Sequence, residues 1–142
     1  VGEIVGVPGI PDRSVRLNEF SFNLRSPFSG GGGGGGGQGP LSLNSFNIVI
    51  PFNTTMPQFM EKMATGVATN GVELRGRTTG PGPSAEVMRI TLDGVYFEEY
   101  TAAGPEAEVT LVAAQMDVLA MSADGNQTGA YCWNFQAATN CN

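Results

Sequence analysis

The chain reads as a mainly β protein of the α+β type, a small antiparallel β-barrel with one short flanking α-helix. Three observations lead there. Apolar residues recur at alternate positions in five or more stretches, glycine and proline clusters separate those stretches, and one segment alone carries helical three-and-four spacing. With 142 residues the chain makes a single domain that can bury a real core.

Residues 1–14 hold two prolines and three glycines and read as an N-terminal arm, extended or at a sheet edge. Val15 and Leu17, then Phe20, Phe22 and Leu24, form a strand whose apolar parity changes at Asn18–Glu19. Leu41 to Phe52 is the next strand, with Phe46, Ile48, Ile50 and Phe52 on one face and a second parity change at Asn44–Ser45. A change of face inside a strand predicts a bulge or sharp bend, the device by which barrels turn corners.

Between these strands, residues 26–40 form a glycine-rich loop with Gly30, Gly31, Gly32, Gly33, Gly34, Gly35, Gly36 and Gly37 in succession. Left alone, polyglycine is a solvated loop, because it loses the most entropy on ordering. It also lets foreign backbone approach closely, so the favoured reading is a loop held by a neighbouring copy in an assembly. It is no phosphate-binding loop: no Lys-Ser/Thr pair ends it and no helix follows directly.

Asn53, Thr54 and Thr55 offer caps for a helix whose first turn holds Pro57. Met56, Phe59, Met60 and Met63 make one apolar stripe, and Gly66 can end the helix. The stripe is read as core or subunit interface, ahead of a ligand groove.

After the helix, Val72, Leu74 and Gly76 alternate with Glu73, Arg75 and Arg77, a strand with one charged face. Residues 80–83 are a turn, and Met88, Ile90 and Leu92 then alternate with Arg89, Thr91 and Asp93. Gly94 breaks the register before Val95, Phe97 and Tyr100. A last long strand is expected over residues 107–121, apolar on both faces and so covered on both sides. Residues 122–142 are read as a C-terminal tail, which Trp133 anchors.

Composition narrows the function. Seven Lys and Arg against thirteen Asp and Glu give a net charge of −6, which argues against nucleic acid and anionic membrane as partners. No run approaches the length of a membrane-spanning helix, so no membrane insertion is expected. The chain has no histidine, which removes the commonest general base and metal ligand, and no catalytic, cofactor or metal residues are assigned. Glu98 and Glu99 with Asp93 are poorly placed as an acid/base pair, since adjacent strand residues point apart. Cys132 and Cys141 lie nine positions apart and are read as a local disulfide in preference to two free thiols. The triplets Asn53-Thr54-Thr55 and Asn126-Gln127-Thr128 fit the glycosylation sequon. The sequence starts at Val1 without a methionine or a signal-like stretch, as a processed or partial chain would.

The order of these elements resembles the haemolysin-coregulated protein (Hcp) family, tube subunits of type VI secretion systems. The resemblance runs from about Val15 to Asn142 and rests on Glu19-Phe20-Ser21-Phe22, a long loop, and the strand and helix of Phe46 to Gly66. It continues through the strand of Gly71 to Arg77, Leu92-Asp93-Gly94-Val95, Glu108 ahead of a core strand, and Cys132-Trp133-Asn134, where Asn134 replaces the family's aspartate. The resemblance implies a non-catalytic structural subunit, secreted or extracellular, and cytoplasmic before export if it serves a type VI system. It also implies a phage-tail-tube-like barrel, six copies in a ring and rings stacked into a hollow tube, with the loop of residues 26–40 reaching the adjacent ring. Its partner would be itself, with effector proteins in the lumen as the alternative role of a ring-shaped carrier.

Overall fold

The computed structural model describes residues 2–5, 15–26, 41–51, 56–78, 82 and 85–141. In chain order they form β1 (Gly2–Val5), β2 (Val15–Leu17), β3 (Glu19–Arg25), β4 (Ser42–Pro51), α1 (Met56–Thr65), β5 (Val72–Arg77), β6 (Glu86–Asp93), β7 (Tyr96–Ala103), β8 (Glu106–Val112), β9 (Gln115–Met121), β10 (Gln127–Asn134) and β11 (Thr139–Asn140). These strands make two sheets, a seven-stranded one in the order β11-β10-β9-β6-β5-β1-β2 and a four-stranded one in the order β3-β4-β8-β7. All pairings between neighbouring strands are antiparallel.

The expected barrel is therefore two sheets over a shared core, with no closed ring of strands among the described residues. The reason lies at the corners. Where the chain passes from β2 to β3, Asn18 donates its N–H to the Val49 carbonyl at 2.8 Å. Where β6 leads to β7, Thr69 and Val95 exchange two hydrogen bonds of 2.8 and 2.9 Å. One or two bonds join the sheets there, too few to continue a ladder.

Both parity changes have the predicted cause. At Asn18 the strand bends and β3 joins the other sheet. At Asn44 a bulge intervenes, because Asn23 faces Ser45 while Leu24 faces Leu43. A third corner carries no signal in the sequence. The long strand expected over residues 107–121 is broken at Ala113–Ala114 into β8 and β9, which lie in different sheets. Its two apolar faces thus both turn inward: Ala107, Val109 and Leu111 before the break and Met116 after it are all buried.

The core between the sheets is built from Phe46, Ile48 and Ile50 of β4, Val109 and Leu111 of β8, and Val72, Leu74, Ile90 and Leu92 of β5 and β6. Each such side chain contributes about 1.5–3 kcal/mol by leaving water. Phe59 enters this core from α1, and its ring meets Phe97 edge-on at 5.3 Å. Gly66, with φ +63°, ends the helix as the sequence predicts, its N–H bonded to the Lys62 carbonyl at 3.2 Å.

The stretch read as a tail holds β10 and β11. Asn134 Oδ1 accepts the Ala137 N–H at 2.8 Å and so caps the turn between them. Cys132 and Cys141 are bonded to each other, fastening β11 to the edge of β10.

Candidate assembly surfaces

The two sheets end differently. The seven-stranded sheet stops at β2 and β11, strands of three and two residues. The four-stranded sheet stops at β3 and β7, of seven and eight residues, and among the described residues no further strand lies beyond either. Long unpaired edges offer a row of backbone donors and acceptors to another strand.

The core side of β3 is also incompletely covered. Phe20 and Phe22 stand opposite Ile48 and Phe46, and Leu24 opposite Leu43, all on the face turned to the core. Phe22 stacks on Phe46 at 5.4 Å, yet Phe22 is 37% exposed and Leu24 43% exposed. Here the four-stranded sheet overhangs the other and leaves an apolar ledge. At the opposite edge, α1 packs beneath β7.

The helical stripe divides. Phe59 is buried and Met63 packs partly against the core, whereas Met60 is 48% exposed. Met60 is thus no part of the core of the single chain. The Met56 side chain and the glycine run Gly30 to Gly37 lie outside the described residues.

The outer face of the four-stranded sheet is polar. Glu19, Ser21, Asn47, Val49 and Glu108 line a shallow concavity there, and Thr110 Oγ1 donates to Asn47 Oδ1 at 2.7 Å. The acid/base trio considered from the sequence is not brought together. Asp93 Oδ1 accepts the Gly71 N–H at 2.8 Å and serves the corner. Glu98 is the extra residue of a bulge, since Phe97 faces Leu111 and Glu99 faces Thr110, and both glutamates are exposed.

The outer face of β5 and β6 carries a group of ion pairs. Arg75 and Arg89 stand directly opposite each other, an arrangement that like charges alone would oppose. Two carboxylates resolve it. Glu73 Oε1 lies 2.7 Å from Arg75 Nε and 3.2 Å from Arg89 Nε, and Glu86 accepts two bonds from Arg89, at 2.7 and 3.0 Å. The Arg89 hydrogen bond, ahead of the charges of Arg89, Arg75 and Arg77, holds the Glu86 carboxyl below its usual range.

A depressed folded-state pKa stabilises above the unfolded value, and the contribution is lost as pH falls through the folded one. Arg89→Gln is therefore expected to cost about 1 kcal/mol at neutral pH, the scale of a part-exposed ion pair. Urea unfolding across the acid range checks this: the gap between parent and variant should close as Glu86 is protonated. A gap that stays constant with pH would rule out the pair as its origin.

Comparison with known proteins gives one consistent result. The family model described as "Type VI secretion system effector, Hcp" matches residues 11–127, most of the chain. Among solved structures, Hcp1 from Salmonella typhimurium superposes with a TM-score of 0.77 at 13% identity, covering 98% of each chain. A type VI secretion system effector from Yersinia pestis gives 0.72 at 10% identity, covering 94% of this chain and 99% of that one. The secreted protein Hcp3 from Pseudomonas aeruginosa gives 0.66 at 13% identity, over 91% and 95%. No curated protein sequence matches. At such identities the structures speak for the fold, and the family model carries the assignment: this chain is a member of the Hcp family of type VI secretion proteins.

Proposed function

We propose that the chain is a structural subunit, not an enzyme, whose copies close into six-membered rings that stack into a hollow tube outside the cell or within a type VI system. The observation that supports this most directly is the pair of long strands, β3 and β7, at opposite ends of one four-stranded sheet, with no further strand beyond either among the described residues. Strand direction alternates across β3-β4-β8-β7, and the number of strands is even. If the β3 of a second copy meets β7, alternation continues across the joint without a parallel pair. Such a contact is head-to-tail, so it generates a ring when the rotation closes. It also brings α1, with its exposed Met60, beside the ledge of Phe20, Phe22 and Leu24 on the next copy, giving both a cover.

In this reading residues 26–40 reach from the end of the ledge strand to the adjacent ring, where a run without side chains permits close backbone contact. The alternative role, a ring that carries an effector protein in its lumen, draws support from the polar concavity of Glu19, Ser21, Asn47 and Glu108.

Negative-stain microscopy and sedimentation of the purified chain test the proposal. Rings or hollow filaments are expected from the parent. Leu24→Lys should leave a folded monomer, because that side chain is already 43% exposed, and abolish rings. A parent that stays monomeric at high concentration would defeat the proposal, and rings undiminished in Leu24→Lys would defeat the ledge as the joint.

A further inference from the structure

We infer that Asn126, in the turn between β9 and β10, is an acceptor site for an N-linked glycan. Asn126-Gln127-Thr128 has the required hydroxyl two residues on and no proline between. Such triplets arise often by chance and are frequently locked in regular structure, so the local fold must decide.

Here the fold leaves the triplet open. Asn126, Gln127 and Thr128 are all exposed. Gln127 faces Met121 and Gly129 faces Ala120, so Thr128 is the extra residue of a bulge and has no opposite number in β9. On its other side β10 is paired with β11 only at Trp133 and Asn134. Along the triplet, the outer edge of β10 is therefore unpaired among the described residues, and a transferase can take Gln127 and Thr128 as an extended strand.

The turn also presents the amide. Ser122 N–H bonds the Asn126 carbonyl at 2.8 Å and Gly125 N–H the Ser122 carbonyl at 2.9 Å, so the backbone is held at an apex. The Ser122 hydroxyl, then the Asn126 backbone N–H, keep the Asp124 carboxyl below its usual range. An ionised carboxylate two residues ahead of the acceptor gives a cationic groove of the transferase a charged handle.

Six residues further on, Cys132 is oxidised in its bond to Cys141. Disulfides persist on the non-cytoplasmic side of membranes, the side where lipid-linked sugars are transferred. The donor class is an oligosaccharide on a polyprenyl pyrophosphate. Asn126 Nδ2 forms a bond to the sugar C1 as the bond from C1 to the pyrophosphate oxygen breaks. The polyprenyl pyrophosphate leaves with that electron pair, and a base of the transferase takes one Nδ2 proton.

The folded, oxidised full chain, incubated with a purified single-subunit oligosaccharyltransferase, a divalent cation and a polyprenyl-pyrophosphate oligosaccharide, tests this by intact mass and peptide mapping. Expected is the addition of one glycan on the peptide that carries Asn126, absent in Asn126→Gln, lost in Thr128→Ala and retained in Thr128→Ser. The inference is overturned if the folded chain stays unmodified while the reduced, denatured chain accepts the glycan, or if neither form accepts it. A glycan found only at Asn53, or undiminished in Thr128→Ala, overturns it equally.

Discussion

Truncating Phe59 to alanine is expected to lower the unfolding free energy by about 3–5 kcal/mol, the usual cost of deleting a buried aromatic ring. The ring has no exposure, and it is the contact through which α1 enters the core between the sheets. Its edge-on meeting with Phe97 at 5.3 Å adds an aromatic pairing to the burial. Collapse around the gap is limited, because Phe97 belongs to a strand fixed by β8. Since folded domains hold about 5–15 kcal/mol in all, the loss is a large share of the total. Chemical denaturation of the isolated chain measures it, with Met60→Ala as the internal control. Met60 is on the same helix but exposed, and its truncation should stay within about 0.5 kcal/mol. Equal effects at the two positions would mean that the helix is not docked as described.

Gly94→Ala should cost comparably, through a different mechanism. Gly94 turns the chain from β6 into β7 at φ +63°, a conformation that costs a residue with a Cβ about 1–2 kcal/mol. A Cβ built there would stand 2.7 Å from the Ala114 Cβ, a distance that forces one of the two to shift. Neither can move cheaply. Ala114 gives its N–H to the Asp93 carbonyl at 3.0 Å and accepts the Phe135 N–H at 2.7 Å, so it is pinned between two elements. Overpacking of this kind adds about 1–3 kcal/mol. The two contributions separate in a double-mutant cycle. Ala114→Gly removes the clash and leaves the dihedral strain, so the double variant should recover the steric part alone. Strict additivity of the two substitutions would show that the corner is looser than its geometry implies.

These two positions guard the fold, whereas Leu24 tests assembly, and the distinction is physical. Phe59 and Gly94 are surrounded by their own chain, so altering them moves the folding equilibrium before any contact between copies is made. Leu24 is surrounded by its own chain only in part. A charge there should change what the surface accepts while the sheets stay as they are.

Much of this was legible in the residue order. Alternation placed Phe46, Ile48, Ile50, Leu74, Ile90 and Leu92 in the core, and all six are buried. The parity changes at Asn18 and Asn44 marked a bend and a bulge because a strand cannot change its apolar face without one. The cysteine spacing brought a disulfide into view, and the alternation of Glu73, Arg75 and Arg77 marked one charged face of β5. The break at Ala113–Ala114 escaped notice for a simple reason. Alanine is tolerated in strand and turn alike, and with apolar residues on both sides no change of composition marks the corner.

The candidate joint shows the same division. The apolar character of Phe20, Phe22, Leu24 and Met60 is written in the chain, but their exposure is not. Periodicity reports which face of a strand or helix is apolar, a property of neighbours in sequence. Whether that face is covered depends on how far the opposite layer extends, and the seven-stranded sheet stops short of β3. The residue order alone thus determined the alternating strands, the single helix and the family. The assignment of strands to two sheets, the solvent-facing side of α1 and the place of β3 and β7 as outermost described strands were decided only when distant segments packed, because hydrogen-bond partners across a sheet are chosen by space and not by sequence.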